Sequence, residues 1–182
     1  MKSTIESALG DLDSADHARQ NQAFTHLIAA TTEEVSWGYT VWDDLLETLK
    51  TGDNRQRAIA AQVLCNLAKS DPENRMVQDV KALLAVTKDE RFVTARHCLQ
   101  SLWKVGVAGE AQRKKLVAGL VKRFAECCEE KNCTLIRYDI LECLRQVYDV
   151  VLDEKLRATA DKLMATETDL KYRKKYATLW RK

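Results

Sequence analysis

Pro72 is the single proline of the chain, and six glycines spread over 182 residues accompany it. Sandwiches and barrels need a turn every few residues and spend Gly, Pro, Asn and Asp on them. Dinucleotide-binding and P-loop domains need clustered glycines where backbone approaches phosphate. The closest glycine pair here is Gly106 and Gly109. Both classes are therefore disfavoured, and apolar residues recur instead at three- and four-residue spacing. Leu116, Val117, Leu120, Val121 and Phe124 share one helical stripe, as do Leu135, Ile136, Ile140, Leu141, Leu144 and Val147. No convincing period-two alternation interrupts the pattern, so the chain reads as all-α. Its length suits one domain or one short repeat array spanning residues 1–182.

Short polar turns punctuate the helices. Asp13-Ser14, Asp53-Asn54, Asp89-Glu90, Lys131-Asn132 and Thr168-Asp169 each precede a helical pattern, with oxygens placed to accept from first-turn amides. Asp71-Pro72-Glu73 reads as a further start, with Pro where its missing N–H costs nothing.

The five helices behind the first group of turns superpose without gaps. One column reads Leu27, Leu67, Leu102, Leu144, Leu179, with steps of 40, 35, 42 and 35 residues. Three residues earlier stand Phe24, Leu64, Leu99, Leu141 and Tyr176, and nine earlier Ala18, Ala58, Val93, Leu135 and Leu170; these read as core columns. Five residues before the leucine the column is polar throughout: Gln22, Gln62, His97, Asp139, Lys174. Partner helices fit at about 34–50, 73–86, 110–130 and 153–165, with a short one near 3–9 completing the first pair. A period near 40 marks a helical-hairpin repeat.

In this alignment the chain resembles HEAT repeats. The run Asp53-Asn54-Arg55-Gln56-Arg57-Ala58-Ile59-Ala60-Ala61-Gln62-Val63-Leu64-Cys65-Asn66-Leu67 carries the resemblance best, and Asp89 to Leu102 follows; the fourth and fifth units shift Arg137 and Arg173 in register. The resemblance implies a right-handed superhelix of about five hairpins, a solenoid whose second helices line a concave surface. Positions five before, two before and two after the leucine lie within about 60° on a helical wheel. They would make a strip for a partner, containing Gln22, Gln62, His97, Gln100, Lys104, Asp139, Glu142, Lys174 and Arg181. Trp37 falls off the apolar stripe Val35, Tyr39, Trp42, Leu45, Leu46, Leu49 and is expected to be a spare, exposed anchor.

These features predict a non-enzymatic scaffold that binds a protein or peptide, with no catalytic residue, cofactor or metal. The alternative is a nucleic-acid-binding protein similar to the DNA-alkylation-repeat glycosylases, which are also built from HEAT-like hairpins. That resemblance implies an aromatic–acid–base constellation, and none matches residue by residue; Trp103, Trp180 and Asp139 come nearest. The strip is mixed in sign where a DNA groove is basic. The tract Lys171 to Tyr176 with Trp180, Arg181 and Lys182 interleaves aromatics with basic groups, as phosphate and base contacts require, and equally suits a polar cap on an open repeat end.

Other chemistry is weaker still. Cys127, Cys128, Cys133 and Cys143 cluster near one turn, yet adjacent cysteines on a helix project about 100° apart and do not make a paired zinc motif. Cys65, Cys98 and Cys143 sit in helical patterns as small apolar residues. With no apolar leader behind the first methionine and no stretch near 20 apolar residues, the expectation is a soluble, cytoplasmic protein with six reduced thiols and no membrane span. Residues 1–53 hold 3 basic against 10 acidic groups and residues 92–182 hold 19 against 12. End-to-end pairing of copies is thus conceivable on charge, but screening at physiological salt favours a monomer.

Overall fold

The computed structural model describes residues 2–12 and 14–181. The chain is all α, and the described residues contain no strand. Its helices are α1 (Lys2–Asp11), α2 (His17–Ala30), α3 (Gly38–Thr51), α4 (Asn54–Leu67), α5 (Met76–Val86), α6 (Phe92–Leu99), α7 (Trp103–Ala108), α8 (Glu110–Glu126), α9 (Cys133–Val151), α10 (Glu154–Ala165) and α11 (Leu170–Leu179). Short 3-10 turns follow α4 at Ala68–Ser70 and α8 at Cys127–Glu129. None of these helices is long and apolar enough to cross a membrane.

Packing is mostly sequential. Within pairs, α1 meets α2, α3 meets α4, α8 meets α7 and α9, and α10 meets α9 and α11. Between pairs, α2 meets α4, α4 meets α6 and α7, these meet α9, and α9 meets α11, while α3 meets α5 and α5 meets α8. The leucine column forms the spine of this arrangement. Leu27, Leu67, Leu102 and Leu144 are fully buried, and so are Leu64, Leu99, Leu141 and Tyr176 three residues before.

Polar turns set the helix starts by capping. Asp16, Asp53, Asp153 and Asp169 each accept hydrogen bonds from first-turn amides, and Asp53 with Gln56 forms a full capping box. Asp13 lies outside the described residues. At α6 and α9 the N-cap residues, Arg91 and Asn132, make no side-chain cap bond, and several boundaries differ from expectation. Helix α5 begins at Met76, later than Glu73, because Asn74 takes a left-handed φ of 57°. The Asp71 carboxylate then accepts from the amides of both Arg75 and Met76, at 2.8 Å each. Pro72 therefore lies in a turn. The third second-helix breaks at residues 100–102 into α6 and α7, where a single helix from Asp89 to Gly106 was expected. Ser101 Oγ donates to the His97 carbonyl four residues back, and the Ser101 amide bonds three back to Cys98. Such back-bonding bends helices. Past the bend, Gly106 lets α7 press on α9: a Cβ there would stand 2.6 Å from Val147 Cγ2.

Ion pairs run between elements distant in sequence. Arg57 Nε meets Asp89 at 2.6 Å, Arg96 Nε meets Asp139 at 2.8 Å, and Arg137 NH1 meets Glu167 at 3.1 Å. They join α4 to the turn before α6, α6 to α9, and α9 to the turn before α11.

The tryptophan-rich segment is structural. Trp42 is buried and its indole N–H donates to Asp79 Oδ2 at 2.9 Å; the Tyr39 hydroxyl donates to Asp71 Oδ1 at 2.5 Å. The Arg75 guanidinium covers both rings and pairs with Asp43. Trp37 is half-buried against the core at the start of α3, so it is no free anchor. Val41, set off the stripe by its spacing, is buried too. Starting α3 at Gly38 rather than Glu34 changes what the first turn faces.

Candidate binding groove

A groove of about 530 Å³ crosses α2, α4 and α6. Its apolar floor is Phe24, Ala58, Ile59 and Val93, with polar walls from His17, Asn21, residues 53–55, Gln62, Thr94 and His97. Val93 is 63% exposed, a large apolar side chain held in water.

The walls are braced from below. Asn21 Oδ1 accepts from Arg55 NH2 at 2.5 Å, which ties α2 to α4. Thr94 Oγ1 donates to the Asn54 carbonyl at 2.8 Å, which ties α6 to the start of α4. Gln62 Nε2 donates to Ala58 O at 3.0 Å in its own helix, so the Gln62 carbonyl oxygen stays open to a ligand. The His97 side chain is exposed.

Of the residues expected on the strip, Gln62 and His97 come together in this groove. Gln22 is exposed on α2 beside it without lining it. Lys104 is half-buried, its ammonium donating to Asn66 Oδ1 at 2.5 Å, and burial lowers its pKa. Lys174 and Arg181 are exposed on and beyond α11, with no ion pair among the described residues.

Asp139 corrects the expectation of an open strip. It is fully buried, clamped by Arg96 Nε at 2.8 Å and Arg96 NH2 at 3.2 Å. Burial raises its carboxyl pKa; Arg96 and a hydrogen bond from Gln100 pull the other way. Glu142, half-buried, is raised by burial and then by the Asp139 charge. Gln100 is exposed just past α6 and Glu142 is half-buried on α9, so both flank the sealed Asp139. Cys65, two residues before its leucine, is buried as well, because α4 is the central helix and packs on both sides.

Val93, Phe24, His17, Asn21 and Arg55 escaped the sequence reading. Four residues separate the column of Val93 from that of His97, so the two columns share one helical face. On it Ala18, Val93 and Leu170 are exposed and Leu135 is half-buried, where a core column was expected. Only in the central helix α4 is the equivalent Ala58 covered.

The four C-terminal cysteines do not converge. Cys143 is buried in the core, Cys128 is exposed, and Cys127 lies near Cys133. All six thiols are free, and among the described residues no three His, Cys, Asp or Glu side chains are placed to hold a metal ion. Trp180 is buried under Arg145 and Arg157, and Trp103 lies half-buried beneath Lys104. With Asp139 sealed, these residues do not form an open aromatic–acid–base site.

No known protein family and no curated protein matches this chain.

Proposed function

We propose that the chain is a non-enzymatic binding module, a short HEAT-like solenoid that takes a protein or peptide segment across its second helices, in the groove of α2, α4 and α6. The observation that carries this reading is the exposed Val93 on an apolar floor, ringed by Gln62 and His97 with unused hydrogen-bonding capacity. An extended peptide offers backbone donors and acceptors to such a rim and one or two apolar side chains to the floor. Mostly sequential packing of the helices supports this reading.

Val93→Asp and the double variant Gln62→Ala/His97→Ala leave the core untouched, since Val93 and His97 are exposed and Gln62 is half-buried. A partner isolated on the wild type is expected to bind Val93→Asp at least about tenfold more weakly, the loss of one central contact worth roughly 1.4 kcal/mol. Calorimetry on the purified pair measures it, with melting temperatures checking the fold. Equal affinity for wild type and both variants would remove the groove from the function. Loss of binding only on reversing Lys171, Lys174 and Lys175 would move the site to α11.

A further inference from the structure

Cys127 closes α8 in a 3-10 turn, and Cys133 is the first residue of α9. Their sulfurs stand 3.5 Å apart without a bond. The approach does not depend on the sulfurs. Glu130 N–H donates to Cys127 O at 2.9 Å and Cys133 N–H donates to Glu130 O at 3.0 Å, so two consecutive turns fold the segment back. Arg123 holds Glu130 through both carboxylate oxygens, at 2.6 and 2.8 Å, and also donates to the Thr87 carbonyl. Arg137 stacks on Phe124, donates to its carbonyl and pairs with Glu167. The helix ends are thus pinned from both sides with the two sulfurs facing.

We propose that Cys127 and Cys133 are a reversible oxidation site, a dithiol that closes to an intramolecular disulfide on reaction with a small-molecule disulfide such as oxidised glutathione. A bonded pair needs about 2.05 Å between sulfurs, so each must move by under about 1 Å, within reach of side-chain rotation and a small turn adjustment. Metal capture is the poorer use of the pair, since Cys143 is remote in the core and Cys128 faces solvent.

Access sets the order of events. Cys133 is half-buried and reachable, whereas Cys127 is buried with its thiol pushed up to about 12 and donating to Phe124 O at 3.3 Å. The Cys133 thiolate attacks one sulfur of oxidised glutathione; the glutathione S–S bond breaks and one glutathione thiolate leaves. Cys127 then gives its proton to water, and its sulfur attacks the Cys133 sulfur of the mixed disulfide, expelling the second glutathione thiolate. Two protein thiols are oxidised, one glutathione disulfide is reduced to two thiols, and the two protons lost by the cysteines end on the leaving groups. The bond would staple the α8–α9 turn that carries Glu130, and hence the grip on Arg123.

The sequence supplies its own assay. Trypsin cuts after Lys131, so a Cys127–Cys133 bond joins peptide 124–131 to peptide 132–137. Full-length wild type and Cys128→Ser are incubated folded with oxidised glutathione, blocked with an alkylating agent and digested without reductant. Cys128→Ser removes only an exposed side chain, and circular dichroism checks its fold. The linked pair is expected in both proteins, with an intact mass short by two hydrogens and no glutathione retained, and is expected to vanish on reduction. It is expected to be absent from Cys127→Ser and Cys133→Ser, the latter carrying no adduct at Cys127. A link that Cys128→Ser abolishes would assign the chemistry to Cys128 and overturn the proposal. So would a stable glutathione adduct at Cys133 in Cys128→Ser without the link, or no reaction where dithiothreitol in the same buffer is oxidised.

Discussion

Leu102→Ala is expected to cost about 2–5 kcal/mol of stability, the range for truncating a buried leucine and leaving a cavity. Leu102 is fully buried and lies in the bend between α6 and α7, where its carbonyl accepts from Val105 and Gly106. Helix α7 here meets α4, α8 and α9 together, so a hole at its head is lined from several sides and closes poorly. For a chain of this size each kcal/mol lowers Tm by about 2–4 °C, which makes the change easy to read in a thermal melt. Leu170→Ala is the matched control. Leu170 is 69% exposed, and the same truncation should move stability by no more than about 0.5 kcal/mol. Equal melting temperatures for Leu102→Ala and wild type would mean that the leucine column does not carry the core.

That column was readable because a helix buried on one side repeats its apolar residues at fixed spacing, whatever its neighbours are. The caps at Asp53 and Asp169 were readable for a similar reason: an aspartate before an apolar run can accept from the first-turn amides. What failed was set by tertiary partners. The start of α5 hangs on Asn74 and on an Asp71 carboxylate shared between two amides and the Tyr39 hydroxyl, a contact between distant segments. Trp37 looked spare because its helix was started at Glu34, and its burial follows once α3 begins at Gly38.

The groove was half legible. Gln62 and His97 were found by their polar column. Val93 was missed because an apolar residue was assigned to the core by type, although its place four residues before a polar, open position puts it on the same face. Asp139 failed in the opposite sense, a charge assigned to solvent by type. Its partner Arg96 is 43 residues away in sequence, and no local pattern announces such a pair.

Asp139 also gives the sharpest electrostatic test. Arg96→Met is expected to destabilise the chain at neutral pH toward the lower end of about 3–5 kcal/mol, since it strands a fully buried carboxylate while Arg96 itself is partly in water. Burial already raises the Asp139 pKa in the folded chain above its unfolded value. Folding therefore favours the protonated carboxyl. Any stability this provides is complete below the unfolded pKa, about 3.9 for aspartate, and is lost as pH rises through the folded pKa. Arg96 offsets that loss, and its removal shifts the folded pKa further up. The gap in Tm between wild type and Arg96→Met should then be widest near pH 7 and close as pH falls toward about 4, where the stranded carboxyl takes up a proton. A gap that stays constant with pH would mean that Arg96 acts only by packing over Phe92, whose ring centroid lies 5.9 Å from its guanidinium carbon. The double variant Arg96→Met/Asp139→Leu separates the two accounts. Removing both charges together leaves nothing buried and unpaired, so it should recover most of the loss at pH 7 and show no pH-dependent gap of its own.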